Sequence, residues 1–370
     1  MVKLYTKSES IDAKQWNTIV NENPFLWLSF KQAFEQSHQE NVTHLFYLLD
    51  NKTNRLAGYA QEFGLNGNRI ITYQKRNKLG RGIISFIMSL LKIRVVGLGN
   101  GLITNIQNVS AKMLSSKEEV IVSLIEKISQ ERNINKFIIP DHFFSTLKIE
   151  NPISVIPNMI KVEVEEDMVL PINPMWKTIS DYTQSLKKKY RVRQKVVMKK
   201  SQEIDIRLLS KSDLKTYKTT IQELFFNVQG RSSFGAITFN TNTFQQLIEL
   251  DFPKCKVYGY FLKEKMIGFS SEIEDKNTLY SYFIGLDYEF SKAYSLYERI
   301  LIESIKHGIA LQKKAIVFGR TAAEFKSNVG AEPKRSFIYI YIKSPVVRYL
   351  LKPILQNIKP KRWVQRHPFK

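Results

Sequence analysis

Apolar residues in the second half of the chain recur with two spacings. Alternating or continuous runs rich in β-branched and aromatic residues predict strands at 204–209, 257–262, 266–273 and 278–286. Lys263, Glu264 and Lys265 separate two of these runs by a tight-hairpin distance, so the last three read as an antiparallel meander. Helical spacing predicts a basic helix over 178–201 and shorter helices near 212–228 and 241–250. A long amphipathic helix follows the meander. Its apolar face carries Phe290, Ala293, Tyr294, Tyr297, Leu301 and Ile305, its polar face Lys292, Ser295, Arg299 and Glu303, and Ser291 is placed to cap it. A buried-type strand at 315–318, a short helix through Phe325 and an alternating strand at 337–342 complete the series.

The first half repeats this order. Strands at 44–49 and 55–62 flank the turn 50–54, a strand at 69–74 continues the meander, and helix 117–132 feeds strand 136–139. Gly58-Tyr59 and Gly268-Phe269 take the same place in their hairpins. A chain of 370 residues is long enough for two cores. The fold class is therefore α/β (α+β), two lobes in tandem, each a mixed central sheet flanked by helices, with one irregular domain as the alternative. Two prolines and an asparagine in 170–174 mark the boundary, giving lobes 1–170 and 171–344 and a basic C-terminal helix and tail, 345–370.

Composition adds class and partners. Hydrophobic residues at 43% and charged residues at 24% belong to a folded chain. The lone Cys255 and the absence of a basic-then-apolar leader point to a cytoplasmic protein. The most apolar stretch, 83–91, is closed by Arg81 and Lys92 and is far shorter than the roughly 20 residues of a spanning helix. A net charge of +22 calls for anionic partners: nucleic acid such as tRNA, phosphate-rich substrates, or a membrane surface. The excess concentrates in 186–200 and from Lys334 to the end, two stretches without a single acid.

Several chemistries lack their residues. The five histidines have no HExxH spacing, so no metal site is expected, and no GxSxG elbow, GxGxxG fingerprint or P-loop occurs. What remains is the segment from Tyr280 to Ala331, YSYFIGLDYEFSKAYSLYERILIESIKHGIALQKKAIVFGRTAAEFKSNVGA. Its AYxLY helix start, buried strand ending FGR and following EFKxxxG resemble the C-terminal lobe of the Fem peptidoglycan aminoacyltransferases and their acyltransferase relatives. The basic segment SLKKKYRVRQKVVMKK is similar to the one that opens their second lobe.

The resemblance implies two GNAT-type lobes and acyl or aminoacyl transfer from an activated ester or thioester to an amine, in cell-envelope or small-molecule biosynthesis. The donor is acyl-CoA or aminoacyl-tRNA, and no cofactor stays bound. The loop 286–291 lacks the [QR]xxGx[GA] pattern of coenzyme A binding, which leaves the donor open. Lys326 falls on the family's FKxxxG lysine, implied to steady the oxyanion. Arg320, at a strand end, suits a phosphate or carboxylate, or an ion pair with Glu324. Tyr294 and Tyr297 match the tyrosine-bearing helix start and line either a cleft or the core. Lys187, Arg191 and Arg193 are candidates for a diphosphate-linked sugar or a tRNA acceptor stem, and Glu272, Asp287 and Glu324 for a general base. The alternative is a non-enzymatic basic module for nucleic acid or anionic membrane on the same scaffold. At the C-terminus, Val346, Leu350, Ile354 and Leu355 share a helical face ahead of the basic, Trp363-bearing KPKRWVQRHPFK, a pairing suited to the inner face of a membrane.

Overall fold

Along the first half the elements are β1 (Lys3–Tyr5), α1 (Ala13–Val20), α2 (Leu28–Ser37), β2 (Val42–Asp50), β3 (Asn54–Asn66), β4 (Lys92–Gly97), β5 (Val109–Leu114), α3 (Lys117–Arg132), β6 (Lys136–Pro140), α4 (Asp141–Thr146) and β7 (Ile160–Pro171). The second half holds α5 (Ile179–Ser185), α6 (Lys188–Lys200), β8 (Ile204–Leu208), α7 (Lys211–Thr216), α8 (Lys218–Gln229), α9 (Thr243–Leu247), β9 (Lys254–Leu262), β10 (Lys265–Glu274) and β11 (Thr278–Leu286). It ends with α10 (Tyr288–Ser291), α11 (Leu296–Ala310), β12 (Ala315–Gly319), α12 (Ala323–Asn328), β13 (Glu332–Ile342) and α13 (Pro345–Gln356). This computed structural model describes residues 1–38, 40, 42–66, 92–230, 237–360 and 362–370. The strand expected at 69–74 and the apolar stretch 83–91 lie outside them.

The described chain divides into two compact units. One comprises Met1–Val164, Ser233–Asn240 and Ser336–Pro360, the other Glu165–Ser232, Thr241–Arg335 and Lys361–Lys370. In the first, the strands run β1-β2-β3-β4-β6-β13, with β5 on β3. β2, β3 and β4 are antiparallel, and β6 joins β4 in parallel through Val96↔Phe137 and Gly97↔Ile138. A parallel neighbour needs a crossover, and α3 supplies it. Ser116 caps α3 by accepting from Glu119 N–H, Asn133 ends it in the left-handed region, and Val120, Ile121, Leu124, Ile125 and Ile128 turn inward. They pack with Val96, Phe137 and Ile139.

The second unit repeats the plan. β9, β10 and β11 are antiparallel, α11 crosses over, and β12 pairs in parallel with β11. β8 lies outside β9, and β7 lies antiparallel to β12. Leu301, Ile305 and Ile309 of α11 pack with Met168, Leu170, Leu279, Ile316 and Phe318. The repeated hairpin glycine is a packing requirement. A Cβ on Gly58 would fall 2.2 Å from Tyr47 Oη, and one on Gly268 would fall 2.8 Å from Leu296 Cδ2.

Three elements depart from their periodicity. The basic helix expected over 178–201 is broken at Leu186 and Lys187, whose backbones are extended. Leu186 forms a β-bridge with Phe369, and Lys187 N–H donates to Pro368 O at 2.7 Å, so pairing with the C-terminal tail outweighs helix propensity. Ser291 ends α10 instead of capping the long helix, which starts after Ser295 at φ 48°. The strand expected at 337–342 pairs with β6, in the sheet of the first unit.

Candidate functional site

β12 alternates, burying Ile316 and Phe318, and then leaves the sheet through left-handed backbone at Gly319 (φ 70°), Thr321 (φ 67°) and Ala322 (φ 49°). Only the glycine adopts that region without cost, so the loop needs outside support. Lys326 supplies it. From α12 its Nζ reaches back and donates to Gly319 O at 3.1 Å and Arg320 O at 2.6 Å. The residue is 5% exposed, and burial pushes its pKa down to about 7, with Asp167 and Glu165 on β7 pulling partly the other way. An ammonium has three N–H donors, and these two carbonyls use two. The loop also begins where β11 and β12 part, since their pairing covers only Thr278–Tyr280 against Ala315–Val317.

Arg320 turns toward β7, with Nε 3.6 Å from Asp167 Oδ1, an ion pair too long for a hydrogen bond. The expected partner Glu324 pairs with Arg366 instead. Tyr297 meets Phe325 edge-on at 5.7 Å, and burial raises its phenol pKa. Lys326, Arg320, Glu324 and Tyr297 thus gather around α12. Asp287 and Tyr294 belong to another cluster. Asp287 caps α10 and pairs with Lys265 at 3.2 Å, Lys265 Nζ lies 4.3 Å from the Phe290 ring centroid, and Tyr294 stacks on that same ring.

A shallow groove of about 30 Å³ is lined by Tyr190, Arg193 and Gln194 of α6, Glu298 of α11 and Phe325 of α12, among others. Arg193 Nη2 lies 3.3 Å from Glu298 Oε1, and Gln194 Oε1 is buried without a hydrogen-bond partner. Lys187 Nζ donates to His367 O at 3.1 Å, and Arg191 is half-buried on α6. Replacing Lys187, Lys188, Arg191 and Arg193 with glutamine is expected to weaken binding to heparin or tRNA and flatten its salt dependence. Equal retention of variant and parent at every salt concentration would leave α6 an ordinary solvated helix.

Sequence reasoning missed two arrangements. Glu272, considered as an isolated base, is buried with Oε2 2.9 Å from His307 Nδ1, and His307 stacks on Tyr258. In the first unit, fully buried Lys31 donates to Asn108 Oδ1 at 2.7 Å, with its Nζ 4.0 Å from the Tyr59 ring centroid, while His44 Nδ1 and Gln61 Nε2 contact the Tyr59 hydroxyl. Burial drives the Lys31 pKa well down and that of His44 to about 4. Lys31 and Asn108 lie 77 residues apart and Glu272 and His307 35, so no local spacing announces these contacts. Among the described residues no group of three or more His, Cys, Asp or Glu is placed to hold a metal ion, and no helix is long and apolar enough to cross a membrane.

No protein-family model and no curated protein matches the chain. Solved structures do. A conserved protein of unknown function from Bacteroides thetaiotaomicron aligns at TM-score 0.51 and 11% identity over 92% of this chain and 100% of that one. A tandem GNAT protein from the clavulanic acid biosynthesis pathway aligns at TM-score 0.50 and 6% identity over 93% and 99%. FemX aligns at TM-score 0.49 and 10% identity over 95% and 100%, too distant to carry an argument. At these identities the likeness defines the fold alone: two GNAT-type lobes in one chain, each with a mixed sheet flanked by helices.

Proposed function

We propose that the chain is an acyltransferase of the Fem-like group, moving an acyl or aminoacyl group from acyl-CoA or aminoacyl-tRNA to an amine, with the second unit as the catalytic lobe. The observation that carries this reading is Lys326, a buried lysine with a donor to spare that braces the loop following the end of the β11–β12 pairing. The amine nitrogen attacks the carbonyl carbon of the donor. The oxygen takes up the negative charge and accepts the remaining N–H of Lys326, and the thiolate or ribose oxygen then leaves with a proton. A base removes the proton of the attacking amine, with Asp287 and Glu324 as candidates alongside the Glu272–His307 pair. Arg320 and Tyr297, which gather around α12 with Lys326, contact the donor. Lys187, Arg191 and Arg193 hold its anionic part, or that of the acceptor, through phosphate contacts.

Mass spectrometry of products formed from a panel of acyl-CoAs and aminoacyl-tRNAs with amine acceptors tests the reading. Failure of every donor to bind or react, with tRNA or heparin bound tightly, would favour the non-enzymatic basic module. The oxyanion role requires the charged form of Lys326. With its pKa near 7, kcat is expected to fall as pH rises through about 7, and the Lys326→Met variant should lack that limb.

A further inference from the structure

The helix α13 carries two apolar faces, and its own fold uses one. Ser344 caps it, and Val347, Leu351 and Leu355 turn inward against Ile160, Val162 and Ile342. This inward packing already satisfies the usual demand of an amphipathic helix. Val346, Tyr349, Leu350 and Pro353 follow one another at i, i+3, i+4 and i+7 on the outside. Val346 is 67% exposed, Tyr349 79% and Leu350 62%. Solvent-facing helix positions are ordinarily polar, and a contiguous apolar patch on a surface marks a place of interaction.

We infer that this outer face of α13 docks on an anionic lipid bilayer. Charge selects the occupant. Lys343, Lys352 and Lys359 are exposed on and beside the helix, and no acid follows Glu332 in the chain. A second copy seated on the same face would bring identical cations together, and a nucleic acid would leave valine and leucine without an apolar partner. A bilayer answers both features. The apolar stripe enters the acyl boundary, Tyr349 lies at headgroup level, and the lysines meet anionic headgroups. Trp363, expected to share this task, does not. Trp363 is half-buried, its Nε1 donating to Glu166 Oε2 at 3.0 Å, and it packs with the core of the second unit.

The test uses the full chain and two vesicle preparations, phosphatidylcholine alone and phosphatidylcholine mixed with phosphatidylglycerol. The protein is expected to sediment with the mixed vesicles at low salt and to be released as salt rises. Val346→Ser, Tyr349→Ser and Leu350→Ser together should reduce vesicle binding by about 10-fold or more with unchanged thermal melting, because the three side chains are exposed. Lys343→Gln with Lys352→Gln and Lys359→Gln should remove the preference for phosphatidylglycerol. Equal sedimentation of the serine variant and the parent overturns the inference, as does a parent that stays in the supernatant with mixed vesicles at low salt. A vesicle-free dimer that the serine substitutions abolish would give the face to a second copy instead.

Discussion

Lys326→Met is expected to lower kcat for acyl transfer by about 10²-fold or more, the loss that follows removal of one oxyanion donor. Methionine keeps the length and much of the volume of the buried stem, so the packing of α12 should survive. It takes away the two bonds to Gly319 O and Arg320 O as well as the third donor, and the two losses read out separately. A lysine that only braces the loop would leave kcat near the parent's value while melting temperature falls and KM for the donor rises. Parent-like kcat in the Met variant would remove Lys326 from the chemistry.

The same residue links stability to pH. Its pKa is about 7 in the fold against 10.5 for an ordinary lysine, so between those values the unfolded chain holds a proton that the folded one lacks. The cost of burying the ammonium is fully present below about pH 7 and fades as pH rises toward 10.5. Parent stability relative to the Met variant should therefore climb over that window, with a slope of at most about 1.4 kcal/mol per pH unit, measurable by urea unfolding of both proteins. A pH-independent difference would mean that Lys326 titrates normally.

Ending the chain at Ile358 is expected to cost the second unit several kcal/mol. Phe369 sits 5.4 Å from the Trp176 ring and 6.1 Å from that of Tyr182, and a Cβ on Gly330 would come within 2.2 Å of it. The final glycine of EFKxxxG is thus required twice, by its φ of 90° and by the ring against it. Arg366 N–H also donates to Ser327 Oγ at 3.2 Å, and Lys370 N–H to Ser185 O at 3.1 Å. Phe369→Ala alone should cost about 2–4 kcal/mol, by analogy with other large-to-small changes. Urea unfolding followed through Trp176 fluorescence checks this. An unchanged midpoint after truncation would show that the tail contacts contribute nothing net.

Much of the architecture was legible wherever the cause is local. Helix Lys117–Arg132 and strand Thr278–Leu286 begin and end where periodicity places them, because each has its own boundary signals. β7 was not foreseen, since its glutamates and Asp167 resemble a polar linker although Ile160, Val162 and Met168 are buried. The break at Leu186 has no local signal either. Its cause, the Pro368–Phe369 pairing, lies at the far end of the chain.

For the site, family resemblance singled out Lys326, but its burial and its neighbours Asp167 and Glu165 depend on β7. An i, i+4 rule offered Arg320 the wrong carboxylate, because the loop carries its guanidinium away from the helix bearing Glu324. Glu272 and His307 meet only through the packing of α11 on β10, a contact between residues 35 apart that no spacing rule reaches.

The strand β13 bears on how the protein is made. Residues 336–342 close the sheet of the first unit against β6, yet almost the whole second unit precedes them in the chain. A ribosome releases residues in order, so the first unit to emerge waits for a strand synthesised near the end. Until then β6 has an open edge, a template for wrong pairing that a chaperone or rapid completion of synthesis must guard.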